Sequence, residues 1–260
     1  MAFVPGPSEW MMSHLDDIPK ETLKFCNNLA GLTVLDVGCG DMLADFGLLV
    51  RGSQHITGLD IWKHHESSIV EQTASRIRDA GLPVPKDYAS KLSYTSYDGV
   101  NFPFGNDQFD LIFSWSAFEH IPDVPQVLSE IRRVVKPQGR VFLQVYPWFP
   151  SFWGSHLTDY IDEPFFHMNR PLDWVHEQLK KYALAYPDNA DFVLNHMWGQ
   201  YQTLNKYSAN MFLSDVMKTG FCIEQMQTIL RLDYLELLPA DVSVADVMAA
   251  GTYLLLRPAK

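Results

Sequence analysis

Cysteine, basic charge and long apolar runs are all scarce in this chain. Only three cysteines, Cys26, Cys39 and Cys222, occur in 260 residues. An odd number at no metal-ligand spacing excludes a disulfide framework and reads as reduced thiols in a cytoplasmic protein. Lysine and arginine total 20 against 31 acidic residues, a net charge of −11. That balance argues against a nucleic-acid partner, whose phosphates need a basic face; the candidate basic runs are only pairs, Arg132-Arg133 and Lys180-Lys181. No apolar stretch reaches the roughly 18 residues of a membrane span. The start, MAFVPGPSEW, lacks the basic lead and apolar run of a signal peptide. No internal repeat or low-complexity tract is visible. What remains, 47% apolar and 20% charged residues, is ordinary globular composition for one large domain or one domain with an insertion.

Hydrophobic periodicity divides the chain into four stretches. Residues 1–30 read as helical, interrupted near Pro19 and stopped at Gly31. From 31 to 145, apolar strands alternate with helices: strands at 33–37, 55–59, 92–97, 109–115 and 140–145, helices at 42–50, 66–80 and 124–135. Fully apolar strands in such alternation belong to a parallel sheet covered on both faces, an α/β architecture. Residues 146–205 lose strand periodicity and are rich in aromatics, histidines and prolines, with helices expected at 173–182 and 191–205. They read as an insertion, not as a second independent core. Residues 206–260 return to a helix at 208–219 and two strands, 221–229 and 252–256, able to pair antiparallel at the sheet edge.

The stretch VLDVGCGDM, residues 34–42, carries the first functional signal. A strand that runs into Gly38-Cys39-Gly40 lets the backbone turn sharply and lets a ligand reach main-chain atoms. The helix that follows offers unpaired N–H groups. The next strand ends in Asp60, where a carboxylate can accept from both hydroxyls of a ribose. The dinucleotide fingerprint wants a third glycine, and Leu43 stands in its place. Asp98 follows the third strand and the segment Ser114–His120 follows the fourth. Ligands of open α/β sheets bind at these strand ends, so all these features share one rim.

In the segments VLDVGCGDM, ITGLDI, YDGVNFPF, FDLIFSWSAFEHIPD and IRRVVKPQGRVFLQV the sequence resembles a class I S-adenosylmethionine-dependent methyltransferase, of the group that includes the quinone-biosynthesis methyltransferases. The resemblance implies a Rossmann-like, doubly wound, seven-stranded sheet with the last strand antiparallel and an aromatic-rich cap inserted after strand 5. It implies S-adenosylmethionine as cofactor and S-adenosylhomocysteine as product. Gly38, Cys39 and Gly40 would face the methionine part, with Asp36 ordering the loop. Asp60 would hold the ribose, Ile61 and Trp62 would pack on the adenine, Asp98 and Gly99 would read its edge, and Ser114 would stand near the methionine end. One departure is Met42, where the family often has a further glycine.

The catalytic half is less defined. Methyl transfer is an in-line displacement in which the enzyme aligns the partners and excludes water; a weakly acidic hydroxyl acceptor can also need a base. His120, in EHIPD, serves either as structural support or as that base. The insertion offers His156, Asp159, Asp162, Glu163 and His167, which read as a solvated loop, as a base with an orienting acid such as His156 with Asp159, or as metal ligands. Their spacing matches no tight ligand motif, so no metal is assigned. The catalytic candidates are therefore His120, His156, Asp159 and His167. His64-His65 read as polar loop residues. The aromatics between Tyr146 and Phe166 read mainly as packing, with a few lining a pocket for a ring-bearing, sugar-like or amphipathic small molecule. Oxygen is the expected nucleophile. A nicotinamide-dependent oxidoreductase and a non-catalytic cofactor-binding scaffold are the competing readings.

Overall fold

Seven strands make one sheet. The computed structural model describes residues 8–63, 66–238 and 242–259. Its strands are β1 (Thr33–Val37), β2 (His55–Asp60), β3 (Leu92–Ser96), β4 (Phe109–Trp115), β5 (Val135–Val145), β6 (Phe221–Leu230) and β7 (Ala249–Pro258). Their order across the sheet is β3-β2-β1-β4-β5-β7-β6. The first five run parallel, and β7 lies antiparallel to both β5 and β6. The chain reverses its winding between β1 and β4, so the carboxyl ends of β1, β2, β3 and β4 share one rim at the topological switch point.

Alternation along each strand feeds two cores. Val34, Leu111, Phe113 and Phe142 pack on one face with the helices Ile18–Cys26, Leu43–Val50 and Glu66–Asp79. Leu35, Ile112, Val141 and Leu143 pack on the other with the helices Val124–Val134 and Ala209–Lys218. Burial on both faces is why the parallel strands read as continuous apolar runs rather than alternating ones.

Local differences from the sequence reading have local causes. The N-terminal helix does not break at Pro19. Proline is the second residue of the Ile18–Cys26 helix, which continues directly from a π-helical turn, and the Leu15 carbonyl one turn before it accepts from Arg51 Nη1 (3.1 Å) instead. The irregularity lies just before it, as a π-helical turn at Ser13–Asp17, and the helix stops at Asn27 in a positive-φ conformation rather than at Gly31. The expected 191–205 helix likewise opens with a π-helical stretch, Phe192–Met197, before Trp198–Thr203. His64 and His65 lie outside the described residues.

The 146–205 segment packs a third apolar cluster, with Leu157, Phe166, Val175, Leu179 and Val193 buried in it. It is tied down at both ends. Trp148 is fully buried against the second core, its backbone N–H donates to Ala250 O (2.8 Å) and its indole N–H donates to Thr252 Oγ1 (2.9 Å) on β7. At the far end, Asn205 donates through Nδ2 to Phe118 O (2.6 Å) and Ile121 O (2.8 Å), and through its backbone N–H to Glu119 O (2.9 Å). The cap is thus stapled to β7 and to the turn that follows β4.

Trp148→Phe keeps most of the apolar volume and leaves the buried Thr252 hydroxyl without its donor. We expect a loss of about 1–3 kcal/mol in urea unfolding. An unchanged midpoint with an unchanged slope would show that the staple carries no stability.

Candidate functional site

The rim of the sheet opens into a cavity of about 780 Å³, within the usual range of small-molecule sites. Its floor is backbone. Gly38 and Gly40 both take positive φ (81° and 53°) and both line the cavity. A Cβ on Gly38 would lie 2.3 Å from the Ala117 Cβ, so only glycine lets the β1 turn and the β4 turn approach. A Cβ on Gly40 would meet nothing within 4 Å, which leaves open space above this part of the chain. The loop is held from β2: Gly38 N–H donates to Leu59 O (2.8 Å) and Gly40 N–H donates to Asp60 Oδ2 (2.9 Å).

Met42 shows how the loop manages without its third glycine. It adopts the left-handed conformation itself (φ 62°, ψ 17°) at the N-cap of the Leu43–Val50 helix. Its side chain is fully buried and, with the Cys39 thiol, fills the space above Gly58. Burial of the thioether offsets the roughly 1–2 kcal/mol cost of that backbone.

Asp60 stands at the cavity wall. Oδ1 accepts from Trp62 N–H (3.2 Å) and Oδ2 from Gly40 N–H, so each oxygen keeps acceptor capacity toward a ligand. Ile61 and Trp62 are exposed apolar wall residues, and Tyr97 and Gly99 complete that side.

Cys39, Ser114 and Asp36 lie off the cavity wall, and Asp98 is largely engaged by its own turn. Cys39 turns its thiol into the core against Gly58, because the loop curls its side chain under the backbone; burial pushes the thiol well up. Ser114 is fully buried in β4 and donates to Val37 O (2.7 Å), a link within the sheet; Ser116, two residues on and past the strand end, lines the cavity instead. Asp98 flanks the cavity and spends its carboxylate on its own turn. Oδ1 accepts from Val100 N–H (2.9 Å) and Asn101 N–H (2.7 Å), Oδ2 from Asn101 Nδ2 (2.8 Å), and these bonds hold it below the usual carboxylate range. Of its roughly four acceptor positions one is left, on Oδ2.

Asp36 lies beneath the loop, not on the cavity wall. It is 2% exposed and faces Asp45 from the next helix, which is wholly buried; with one of the two protonated, the carboxyls hydrogen-bond to each other. Burial and then the proximity of Asp45 hold the Asp36 carboxyl well above its ordinary range; burial does the same to Asp45. An acid inside the apolar run LADFGLLV was the one available sequence signal for Asp45.

The other end of the cavity is built from the β4 turn and the cap. Phe118–His120 is a short 3-10 turn, and His156 follows another, Phe152–Ser155, in a left-handed conformation (φ 58°). The two imidazoles lie 5.3 Å apart, centroid to centroid. Glu119, 3% exposed, has neither carboxylate oxygen hydrogen-bonded, and His156 Nε2 is buried and unpartnered. Burial pushes His120 and His156 down to about 4 and Glu119 up to about 8. All three line the cavity, beside Thr203 and Gln200 of the cap.

Two catalytic candidates are not in this group. Asp159 is exposed and off the cavity wall, so it does not orient His156. His167 is buried off the wall, its Nε2 bonded to Phe149 O (2.8 Å), and burial lowers it to about 4. Glu163 pairs with Arg170 (2.6 Å) and Asp162 is exposed. The loop brings no metal-ligand set together; the cluster forms instead across the sequence, from 119–120 and 156. Of the aromatics after β5, only Tyr146 reaches the cavity.

The buried acid pair gives a stability prediction. A carboxyl whose folded pKa is raised stabilises the fold below its unfolded pKa of about 3.9 and loses that contribution as pH rises through the folded value. Asp45→Asn removes the loss. We expect the ligand-free variant to unfold at higher urea than the parent at pH 8, with the gain shrinking toward pH 4. A variant less stable at pH 8 would show that the pair is stabilising as it stands.

Comparison with known proteins follows the same boundaries. The family model described as "Methyltransferase domain" matches residues 35–143. The sterol 24-C-methyltransferase ERG6B of Gibberella zeae is 34% identical over 119 residues, 45% of this chain and 28% of that protein. The ubiquinone biosynthesis O-methyltransferase of Pseudomonas paraeruginosa is 31% identical over 115 residues, 44% of each chain. The chain therefore spans less than half the length of these curated relatives. In three dimensions it is similar to an S-adenosylmethionine dependent methyltransferase from Mesorhizobium loti, with a TM-score of 0.54 at 16% identity, over 94% of this chain and 97% of that one. Residues 35–143 thus match a methyltransferase domain, and the fold is shared with an S-adenosylmethionine dependent methyltransferase.

Proposed function

We propose that the protein transfers a methyl group from S-adenosylmethionine to a small-molecule acceptor, through an oxygen nucleophile. The observation that carries this reading is the single cavity with two unlike ends. Gly38, Gly40 and Asp60 form one end, and Glu119, His120 and His156 the other. The first fits an adenosyl group: a backbone floor, a carboxylate with spare acceptor positions, and the apolar Ile61 and Trp62 beside Gly99. When bound, the cofactor supplies an electrophilic methyl group on a sulfonium.

The chain's own part is to bind, align and exclude water. Asp60 accepts from the ribose hydroxyls while it keeps the glycine loop in register through Gly40. Tyr97 and Gly99 bound the adenine side, and the remaining Oδ2 position of Asp98 is available to its amino edge. Asp36 supports the loop from below. The cap, held by Trp148 and Asn205, roofs the acceptor end and keeps water from the reacting atoms. A polar acceptor end suits a hydroxyl, and the apolar remainder of the wall suits a ring or an alkyl body.

The chemistry needs no reduced nicotinamide. The third glycine of a dinucleotide site is replaced by Leu43, fully buried in the first core. The three unpaired thiols support a reducing, cytoplasmic setting. No helix among the described residues is long and apolar enough to cross a membrane.

Calorimetry against S-adenosylhomocysteine and NADH separates the two cofactor readings; binding of NADH alone would overturn the proposal. Asp60→Ala should weaken S-adenosylhomocysteine by roughly 10- to 100-fold, the loss of about 1.5–3 kcal/mol from hydrogen bonds to a charged group. An unchanged affinity would remove Asp60 from the site. Gly38→Ala forces its Cβ against Ala117, and we expect it to abolish measurable cofactor binding while circular dichroism still shows the folded sheet.

A further inference from the structure

The geometry points to a divalent transition-metal site formed by Glu119, His120 and His156, at the acceptor end of the cavity, with an open position for an acceptor oxygen. It deepens the methyl-transfer reading, on which its role for the acceptor rests; the metal site itself does not depend on that reading.

Three observations converge. One ligand atom from each of the three residues lies within 4.8 Å of the others. Rotamer-scale movement brings such a set to the roughly 3.3 Å spacing of donors around an ion bound at about 2.0–2.2 Å. Glu119 is buried with both carboxylate oxygens unpartnered, and His156 Nε2 is buried and unpartnered as well. Each buried polar atom left unpaired costs about 1–3 kcal/mol, a cost that an ion held between these groups relieves. An apolar residue of similar size would pack there without that cost.

The third observation is an outer partner for His120. Thr203 Oγ1 lies 2.7 Å from His120 Nδ1 and 2.8 Å from Gln200 O. A hydroxyl whose proton goes to that carbonyl accepts from Nδ1–H, the tautomer that leaves Nε2 free for a metal. Asn205 locks the Phe118–His120 turn from the cap, and so fixes Glu119 and His120 relative to His156.

Two imidazoles and a carboxylate make a borderline donor set, suited to zinc, iron(II), cobalt(II) or manganese(II) rather than to calcium. Three protein ligands leave at least one position open, and it faces the cavity. A hydroxyl drawn there is acidified by the cation. Its proton passes to solvent, the oxygen forms a bond to the methyl carbon, and the carbon–sulfur bond breaks with its electron pair going to sulfur. The acceptor class is thus a hydroxyl too weakly acidic to ionise by itself.

The test is titration of the full chain with cobalt(II), read by visible absorption and competed with zinc(II). S-adenosylhomocysteine affinity is measured in parallel on every protein. The parent should bind about one ion per chain, and X-ray absorption of the zinc-loaded protein should show two imidazole ligands. Glu119→Gln and His156→Ala should each weaken cobalt binding by about 100-fold or more, and Thr203→Val by roughly 10- to 100-fold. All three should keep the parent's S-adenosylhomocysteine affinity, which also shows that they fold. Absence of stoichiometric cobalt binding by the parent, a zinc site without imidazole, or parental metal affinity in Glu119→Gln would overturn the metal site. Failure of the parent to bind S-adenosylhomocysteine would instead overturn the methyl-transfer reading and leave the metal result standing.

Discussion

The close approach of the β1 turn to the β4 turn is the constraint on which the rest of the site depends. Gly38 meets Ala117 with no room for a side chain. That contact sets the separation of the two strand ends, and the strand ends carry everything else. On one side, Leu59 O and the Asp60 carboxylate take the Gly38 and Gly40 N–H groups, so the glycine loop is built against β2 rather than free in solvent. On the other, the chain leaves β4 through Ser116 and Ala117 into the 3-10 turn that bears Glu119 and His120. The Asp60 carboxylate and the Glu119–His120 turn are thereby held at a fixed distance by the approach of Gly38 to Ala117.

The cap works on the same principle. Its interior is a separate apolar cluster, yet its position is set by few polar bonds: Trp148 on β7 and Asn205 on the 118–121 turn. Both bonds end on buried partners, where a misplaced donor would leave an unsatisfied acceptor. The π-helical stretch Phe192–Met197 sits between them and presents Asn195 and His196 to the cavity. A π-helical turn widens the helix and shifts the register of its side chains, a distortion often found at functional sites.

The sheet was legible because its signal is collective. Apolar runs, glycines and acids repeated at successive strand ends, and the parallel core with its antiparallel β7 follows from them. Gly38, Gly40 and Asp60 were legible because only backbone freedom and a strand-end carboxylate explain them. Cys39 and Ser114 were misplaced for one reason: sequence shows which residues lie near a turn, not which way their side chains face. Ser114 is still inside β4 and bonds within the sheet, whereas Ser116, two residues on, is past the strand end at the mouth. Asp159 and His167 failed differently. Nearness in sequence to His156 suggested a cluster, while the true neighbours, Glu119 and His120, come from a turn some forty positions earlier that the cap folds down upon.

The matched region ends at residue 143, and that boundary falls across the middle of the cavity. The glycine loop, Asp60, Gly99 and the Glu119–His120 turn lie inside it; Tyr146, His156, Gln200 and Thr203 lie outside. The matched residues thus carry the glycine loop and the turn after β4, and the roof of the cavity comes from residues beyond the match. Acceptor choice is set by shape and polar groups on both walls, so a relative's acceptor cannot be carried over on the strength of the shared wall. The same division runs through the cluster: Glu119 and His120 lie inside the matched residues, and His156 and Thr203 lie outside them, so the three side chains and the hydroxyl beside them meet only because the cap folds onto the turn after β4.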